Sequence, residues 1–303
     1  METLLITGAG GFFGTAVVKE LAEAGKYHII AATSGRRRPE FPAGIQTEAA
    51  DLLKNPGELI ERTTPDIVLH LAWGRQDGTA RNSDANIEWL EASYKLLRTF
   101  IAGGGRRFVF AGTSSEYEDS SGLHQEIPEQ VQMSMYGETK KAFSAVAKNY
   151  CQRAGVEFAD VRLFTLYGEN DRHELGAIPL CIRTLLNGES FTCKAPNTVR
   201  DYVYVQDAAK AVIAVIASDY RGAINVCSCQ PRSMREVFGF IARELHKEEL
   251  LRFVNEDRCD MILAGDNRIL LDKIDFHGFT DFEDGMRRTI SWWKNQLTEE
   301  QCI

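Results

Sequence analysis

The stretch TGAGGFFG, residues 7–14, sets three glycines in a G-x-x-G-x-x-G spacing near the start of the chain. Glycines at this spacing let the backbone turn sharply and approach a pyrophosphate, whose charge then lies against the N–H groups at the start of a helix. The alternative is a glycine-rich turn that holds no ligand. We predict a strand–turn–helix unit that binds a dinucleotide. The residues expected to contact it are Gly8, Gly11, Phe12, Phe13 and Gly14.

Short apolar runs alternate with helical segments on both sides of this turn. Consecutive apolar positions are typical of strands covered on both faces, and alternation with helices predicts an α/β fold with a doubly wound, Rossmann-like parallel sheet. The apolar runs are TLLIT (3–7), HIIAAT (28–33), DIVLHLA (66–72), RFVFAG (107–112) and FADVRLF (158–164). The helical segments include 13–24, 84–102 and 136–153.

The pattern becomes irregular after about residue 168. We therefore expect residues 1–167 to form the dinucleotide-binding domain, with 206–227 returning to it. Residues 168–205 and 228–303 are expected to form a smaller C-terminal lobe that binds the substrate.

Composition excludes several classes of protein. The 303 residues are 44% hydrophobic and carry a formal net charge of -8, which fits an ordinary globular protein and argues against nucleic-acid binding. No apolar run approaches a membrane span and the N-terminus has no leader pattern, so we expect a cytoplasmic protein without a membrane partner. Cys227 and Cys229 are too close together for a zinc knuckle, and no metal is expected.

Two further motifs carry candidate chemistry. In SMYGETKKA, Tyr136 and Lys140 are spaced i and i+4, so a helix would bring the phenol and the ammonium to one face. A cation near the phenol favours the phenolate and makes the group useful in acid–base chemistry. FVFAGTSSEY ends a predicted strand with Thr113, Ser114 and Ser115, at the edge where doubly wound sheets bind ligands.

The glycine turn, the hydroxyl at a strand end and the Tyr/Lys helix, in this order, resemble the extended short-chain dehydrogenase/reductase family. The likeness is to its nucleotide-sugar epimerases, dehydratases and reductases, and it covers nearly the whole chain. Further matching segments are DL (51–52), HLA (70–72), RLFTLYG (162–168), RDYVYVQD (200–207), INV (224–226) and FEDGMRRTISWW (282–293).

The resemblance assigns roles to single residues. Thr113 matches the catalytic hydroxyl, Tyr136 the proton donor or acceptor, and Lys140 the residue that holds the nicotinamide ribose and supports the tyrosine. Arg200 matches the arginine that pairs with the diphosphate of a sugar nucleotide; the alternative is a surface pair with Asp201. The further cofactor contacts implied are Asp51 and Leu52 beside adenine, and Leu71 and Ala72.

Departures from the family pattern reduce the number of reactions that we expect of this chain. The 4,6-dehydratases of the family carry Asp and Glu where this chain has Ser114 and Ser115, so dehydration is not expected. If the strand continued, Glu116 would point to the opposite face. Thr165 stands at a position where members of the family often have an asparagine. The expected substrate contacts are Trp73, with core packing as its alternative, Ser114, Ser115, Thr165 and Arg200.

The basic run Arg36–Arg38 falls where dinucleotide-binding proteins usually hold an acid. About 20 positions after the glycine turn, a carboxylate normally bonds the adenosine ribose, but this chain has Ser34 there. Ser34, Arg36 and Arg37 are suited to a 2'-phosphate, which predicts NADP(H). The alternative is a solvated basic loop.

These features together favour NADPH-dependent reduction of a 4-keto group on a nucleotide-linked deoxy or dideoxy sugar. A nucleotide-sugar 4-epimerase that retains its dinucleotide would use the same three residues, and a dinucleotide-sensing regulatory protein is an alternative of another class. The resemblance also implies a homodimer formed through segments 84–102 and 136–153.

Overall fold

The computed structural model describes residues 1–35, 39–74, 80–117, 122–126, 134–173, 176–254 and 261–301. The strands are β1 (Thr3–Thr7), β2 (His28–Thr33), β3 (Gln46–Ala49), β4 (Ile67–His70), β5 (Arg107–Thr113), β6 (Gly122–His124), β7 (Glu157–Leu163), β8 (Thr165–Tyr167), β9 (Phe191–Cys193), β10 (Val199–Tyr204), β11 (Gly222–Val226), β12 (Pro231–Ser233), β13 (Leu251–Phe253) and β14 (Ile262–Gly265). The helices are α1 (Phe12–Ala24), α2 (Pro56–Thr63), α3 (Ala85–Ala102), α4 (Met135–Ala154), α5 (Ala177–Leu186), α6 (Val205–Ala217), α7 (Met234–Leu245), α8 (Arg268–Ile274) and α9 (Phe282–Gln301).

Seven of these strands form one parallel sheet in the order β11-β7-β5-β4-β1-β2-β3. Helices cover both faces of it. On β1, Leu4 and Ile6 pack with Val17 of α1, whereas Leu5 between them packs with Leu96 of α3 on the other face. This two-sided burial explains the consecutive apolar positions in the sequence. The predicted Rossmann-like fold is confirmed.

The sheet edge holds a strand that the sequence did not predict. β3, with the sequence QTEA, is mostly exposed and pairs with β2 through Gln46 opposite Ile30. An edge strand has one free side and needs no apolar run, so hydrophobic pattern alone could not detect it.

The C-terminal part of the chain builds smaller sheets beside the large one. β12, β10, β14 and β6 form a mixed sheet, β8 pairs with β10, and β13 pairs with β9. Helices α5, α7 and α9 pack on them around an apolar core that includes Ile182, Phe238 and Met286. α6 packs on α1, and β11 joins the large sheet. The segment from α6 to β11 therefore belongs with the large sheet and its covering helices. The lobe boundaries stay a prediction.

No helix in the described ranges is both long enough and apolar enough to cross a membrane.

Candidate active site

One cleft opens at the carboxyl ends of β1, β4, β5 and β7 and is bounded on its far side by α5 and β10. Its volume is about 530 Å³. This is the edge at which doubly wound sheets bind ligands. The predicted site residues that line it are Gly8, Gly11, Phe12, Phe13, Gly14, Leu71, Trp73, Thr113, Ser114, Ser115, Tyr136, Lys140, Thr165 and Arg200.

Of the other predicted cofactor residues, Ala72 lies beside Gly8 of the glycine turn, whereas three lie away from the cleft wall. Ser34 is exposed just after β2, and Leu52 is buried in the core beneath α2. Asp51 is exposed, accepts a hydrogen bond from the backbone of Leu53 and pairs with Lys54. The predicted contacts Arg36 and Arg37 fall outside the described residues.

The glycine turn between β1 and α1 lies against the backbone that follows β4. Gly8 has φ +70°, and a Cβ there would lie 2.8 Å from the backbone nitrogen of Ala72. Gly11 N donates to Gly8 O at 3.0 Å and begins α1, which no side chain caps. The N–H groups of the first turn of α1 are therefore available to an anion in the cleft, which fits the pyrophosphate of a dinucleotide.

A chain of hydrogen bonds fixes β1 to β4 under this turn. Ser93 Oγ donates to Trp89 O at 2.7 Å, so it accepts from His70 Nε2 at 2.8 Å. His70 Nδ1 must then accept from Thr7 Oγ1 at 2.7 Å, and Thr7 in turn accepts from Ala72 N at 3.2 Å. Burial, followed by the charge of Lys140, lowers the pKa of His70 to about 3. The ring is therefore neutral, with its proton on Nε2.

Thr113 ends β5 and begins a short 3-10 turn over Ser114–Tyr117. Ser115 N donates to Thr113 Oγ1 at 3.2 Å. Because the hydroxyl oxygen accepts this bond, its own proton can be donated to an oxygen in the cleft.

Tyr136 and Lys140 lie in the first turns of α4, as predicted from their spacing. Ser134 caps this helix by accepting from Gly137 N at 3.3 Å. Lys140 is 3% exposed, and its Nζ donates to Ala111 O of β5 at 2.6 Å. The same Nζ lies 5.2 Å from the centre of the Tyr136 ring. The buried ammonium of Lys140, the phenol of Tyr136 and the Thr113 hydroxyl thus line the same cleft.

Two alternative interpretations of single residues are resolved by contacts. Trp73 lines the cleft, and its Nε1 donates to Asn86 Oδ1 at 3.0 Å while its ring packs against Phe110, so it serves both cleft and core. Arg200 does not pair with Asp201. The Asp201 carboxylate instead accepts from Ser228 at 2.7 Å and from the backbone of residues 228–229.

The condition set for Glu116 is not met, because β5 ends at Thr113 and alternation does not apply beyond it. The 3-10 turn instead buries Glu116 against Arg162 of β7 at 3.1 Å, away from the cleft. Its Oε1 accepts from Thr113 N at 3.0 Å. The carboxyl group of Glu116 therefore lies directly behind Thr113.

Several cleft residues were not predicted from the sequence. Arg81 lies 3.5 Å from Ser115 Oγ through its guanidinium, and Asp171 and His173 line the cleft from the loop after β8. The polar run ENDRH, directly after the LYG segment, was the available signal. Tyr202 and Met234 complete this wall. No group of three potential metal ligands occurs within the described part of the chain.

The sheet order, the glycine turn and the cleft define a Rossmann-like protein of the extended short-chain dehydrogenase/reductase type. Residues 4–227 match the NAD dependent epimerase/dehydratase family. The chain belongs to this family, which confirms the resemblance seen in its motifs.

Named relatives span several reactions. A putative UDP-glucose 4-epimerase of Methanocaldococcus jannaschii is 26% identical, over 96% of this chain and 98% of its own. A UDP-N-acetyl-alpha-D-glucosaminuronate decarboxylase of Bacillus cytotoxicus is 25% identical, over 96% and 97%. The solved structure of MoeE5 with UDP-glucose and NAD has a TM-score of 0.84 at 25% identity, covering 97% of this chain and 99% of that one.

Proposed function

We propose that the protein reduces the 4-keto group of a nucleotide-linked deoxy sugar with NADPH. The observation that carries the choice of reaction is the end of β2, where the exposed Ser34 takes the place of the ribose-binding acid and is followed in the chain by Arg36–Arg38. A 2'-phosphate is attracted by such a segment, whereas a carboxylate would repel it. Net reduction in cells draws mainly on NADPH.

A nicotinamide dinucleotide fits the cleft. The uncapped start of α1 would hold the pyrophosphate, and the buried Lys140, which lines the cleft, would hold a ribose hydroxyl. When bound, NADPH supplies the hydride for the keto carbon. MoeE5, similar over almost the whole chain, was solved with NAD and UDP-glucose, which supports a dinucleotide and a nucleotide-diphosphate sugar as ligands.

The protein's own residues manage the proton and the oxygen. Tyr136 donates its phenolic proton to the carbonyl oxygen as negative charge develops there, and the Thr113 hydroxyl donates a hydrogen bond to the same oxygen. Lys140, 5.2 Å from the Tyr136 ring, stabilises the phenolate that remains. Arg200, at the far side of the cleft, is suited to the diphosphate.

A 4-epimerase is the second candidate. The Methanocaldococcus relative carries that name, and the same Thr113, Tyr136 and Lys140 would serve oxidation and reduction in turn. Neither Ser114 nor Ser115 titrates in a useful range, so dehydration is not proposed.

Substrate assays separate these functions. A panel of UDP-, GDP-, CDP- and dTDP-linked 4-keto sugars is mixed with NADPH, and absorbance at the nicotinamide band is followed. Oxidation of NADPH with one class of sugar supports the reductase. Interconversion of 4-hydroxy sugars with no net NADPH loss would contradict it and support the epimerase.

We also propose a homodimer formed through α3 and α4. Ile87 on α3 and Val146 and Tyr150 on α4 expose apolar surface, at 42%, 53% and 37% of their areas. α3 and α4 pack side by side, and each of them exposes apolar side chains that a second copy of the chain could cover. Sedimentation of the wild type and of Val146→Glu tests this: a dimer that becomes a monomer is expected, and an unchanged mass would contradict the proposal.

A further inference from the structure

Behind the cleft wall lies a buried cluster of charged residues that the proposed reaction does not use. Glu116, Asp160 and Arg162 are 2%, 1% and 6% exposed. Burying three charged side chains is costly unless they are paired and hydrogen-bonded. Their contacts therefore indicate what the cluster does.

Glu116 holds the backbone of Thr113 from behind. Its Oε1 accepts from Thr113 N at 3.0 Å, and its Oε2 lies 3.1 Å from Arg162 Nε. The same Arg162 Nε lies 3.4 Å from Asp160 Oδ2. The guanidinium also donates to Tyr117 Oη at 2.6 Å, so its orientation is fixed from two sides.

Gly112 brings the two carboxyl groups together. A Cβ at Gly112 would lie 2.3 Å from Asp160 Oδ1 and 2.9 Å from Glu116 Oε1. Only a residue without a side chain leaves room for both groups beside the strand that carries Thr113. Asp160 Oδ1 and Glu116 Oε2 accept no hydrogen bond within the described residues.

The cluster also contacts α4, the helix that carries the proposed proton donor Tyr136. Asp160 Oδ2 accepts from Ser144 Oγ at 2.7 Å. Ser144 follows Tyr136 and Lys140 on α4 at successive i+4 steps, so all three lie along one helix face. The cluster thus connects Thr113, at the end of β5, with the helix of Tyr136 and Lys140.

Two carboxyl groups share one guanidinium here. Burial, and then the neighbouring Asp160, raise the pKa of Glu116, against the opposing effects of Arg162 on β7, the backbone of Thr113 and Lys140 on α4. Burial raises the pKa of Asp160 as well. Burial and the closeness of the two groups thus favour protonation of the pair, against the charge of Arg162.

We propose that Glu116 is a positioning residue for catalysis. It sets the place of the Thr113 hydroxyl relative to Tyr136, and Asp160 and Arg162 in turn hold the Glu116 side chain. The inference rests on the proposed catalytic role of Thr113. Because a misplacement of about 1 Å in an active site costs on the order of 10²-fold in rate, a side chain that never touches substrate can govern kcat.

The test compares Glu116→Ala and Glu116→Gln with Glu138→Gln, a control at an exposed position of α4. The amide of Glu116→Gln keeps an oxygen that can accept from Thr113 N, whereas Glu116→Ala removes it. We expect Glu116→Ala to lower kcat by about 10- to 100-fold with KM and NADPH affinity within about twofold. Glu116→Gln and the control should stay within about threefold of wild type at pH 7.

The pH profile supplies a readout that a purely structural role would not move. Burial raises the pKa of both Glu116 and Asp160, so ionisation of this pair should alter the kcat–pH profile of the wild type on the alkaline side, and the profile of Glu116→Gln should differ from it there. This comparison stands even if Glu116→Ala does not fold.

Two outcomes would overturn the inference: equal kcat for Glu116→Ala and wild type, or identical pH profiles for Glu116→Gln and wild type. Tyr136→Phe is measured in parallel. If it retained full activity, the proposed function would fail, whatever the Glu116 variants show.

Discussion

Thr113 accepts a hydrogen bond from Ser115 N through its hydroxyl oxygen, which leaves its own proton available to an oxygen in the cleft. In the proposed reaction Thr113 therefore donates a hydrogen bond, and Tyr136 on α4 has the separate task of proton transfer.

The first prediction concerns Tyr136. Tyr136→Phe removes the transferable proton while keeping the ring, so we expect kcat to fall by about 10² to 10⁴. NADPH affinity should change little. Steady-state kinetics and fluorescence titration of the cofactor measure both, and most of the activity surviving the change would show that another group is the acid.

The second prediction concerns the arginines after β2. Arg36→Ala together with Arg37→Ala should weaken NADPH binding by at least about tenfold, because a charge-assisted contact is worth roughly 1.5 to 3 kcal/mol. NADH binding should be nearly unchanged, because NADH has no 2'-phosphate. Titration with both cofactors decides it, and an equal loss for the two would instead indicate a role in folding or at an interface.

At the scale of elements, the turn between β1 and α1 depends on the space beside Ala72. Gly8 and Gly25 both have positive φ, at +70° and +62°, but only Gly8 has backbone within reach of an added Cβ. Comparing substitutions at these two glycines therefore separates the conformational cost of a side chain at positive φ from the cost of a steric clash.

The third prediction uses this pair. Gly8→Ala should lower dinucleotide affinity by more than about tenfold, because the turn must open to relieve a 2.8 Å contact. Gly25→Ala, at the end of α1, should cost about 1 kcal/mol in stability and leave binding intact. Cofactor titration and urea unfolding of both variants measure the difference, and equal affinities would contradict the close-approach argument.

The fourth prediction concerns the buried histidine that links β1 and β4. His70 has a pKa lowered to about 3, below that of the unfolded chain, so its contribution to stability is present at neutral pH and is lost as pH falls below about 6.5. We expect the free energy of unfolding of the wild type to decrease more steeply between pH 6.5 and 4 than that of His70→Gln.

The matched control for this measurement is His28→Gln, at the exposed start of β2. It should follow the wild-type slope. A His70→Gln slope as steep as that of the wild type would mean that the histidine is not a neutral group in the fold.

At the scale of the whole molecule, the sequence predicts those strands and helices whose residues follow a regular pattern of hydrophobicity or spacing. Strands such as β1 and β5 are covered on both faces and are therefore apolar throughout, and the Tyr136–Lys140 spacing follows from helix geometry. The mostly exposed strand β3 lacks that pattern, which is why it was missed.

The site was predictable where it lies on regular elements. Thr113, Tyr136 and Lys140 could be placed at the cleft because strand end and helix face follow from local sequence, and their catalytic roles stay predictions based on the resemblance. Arg81 and Asp171 were missed, because they reach the cleft from irregular segments whose direction depends on packing between distant parts of the chain.

The most direct test of the proposed reductase is its cofactor balance. The purified protein is denatured and the released nucleotide quantified, and the native protein is then mixed with a 4-keto nucleotide sugar and NADPH. A reductase must exchange its cofactor, so little bound dinucleotide and one NADPH consumed per sugar reduced are expected. Stoichiometric bound NAD, with sugar interconversion and no net loss of NADPH, would contradict the reductase and establish the epimerase instead.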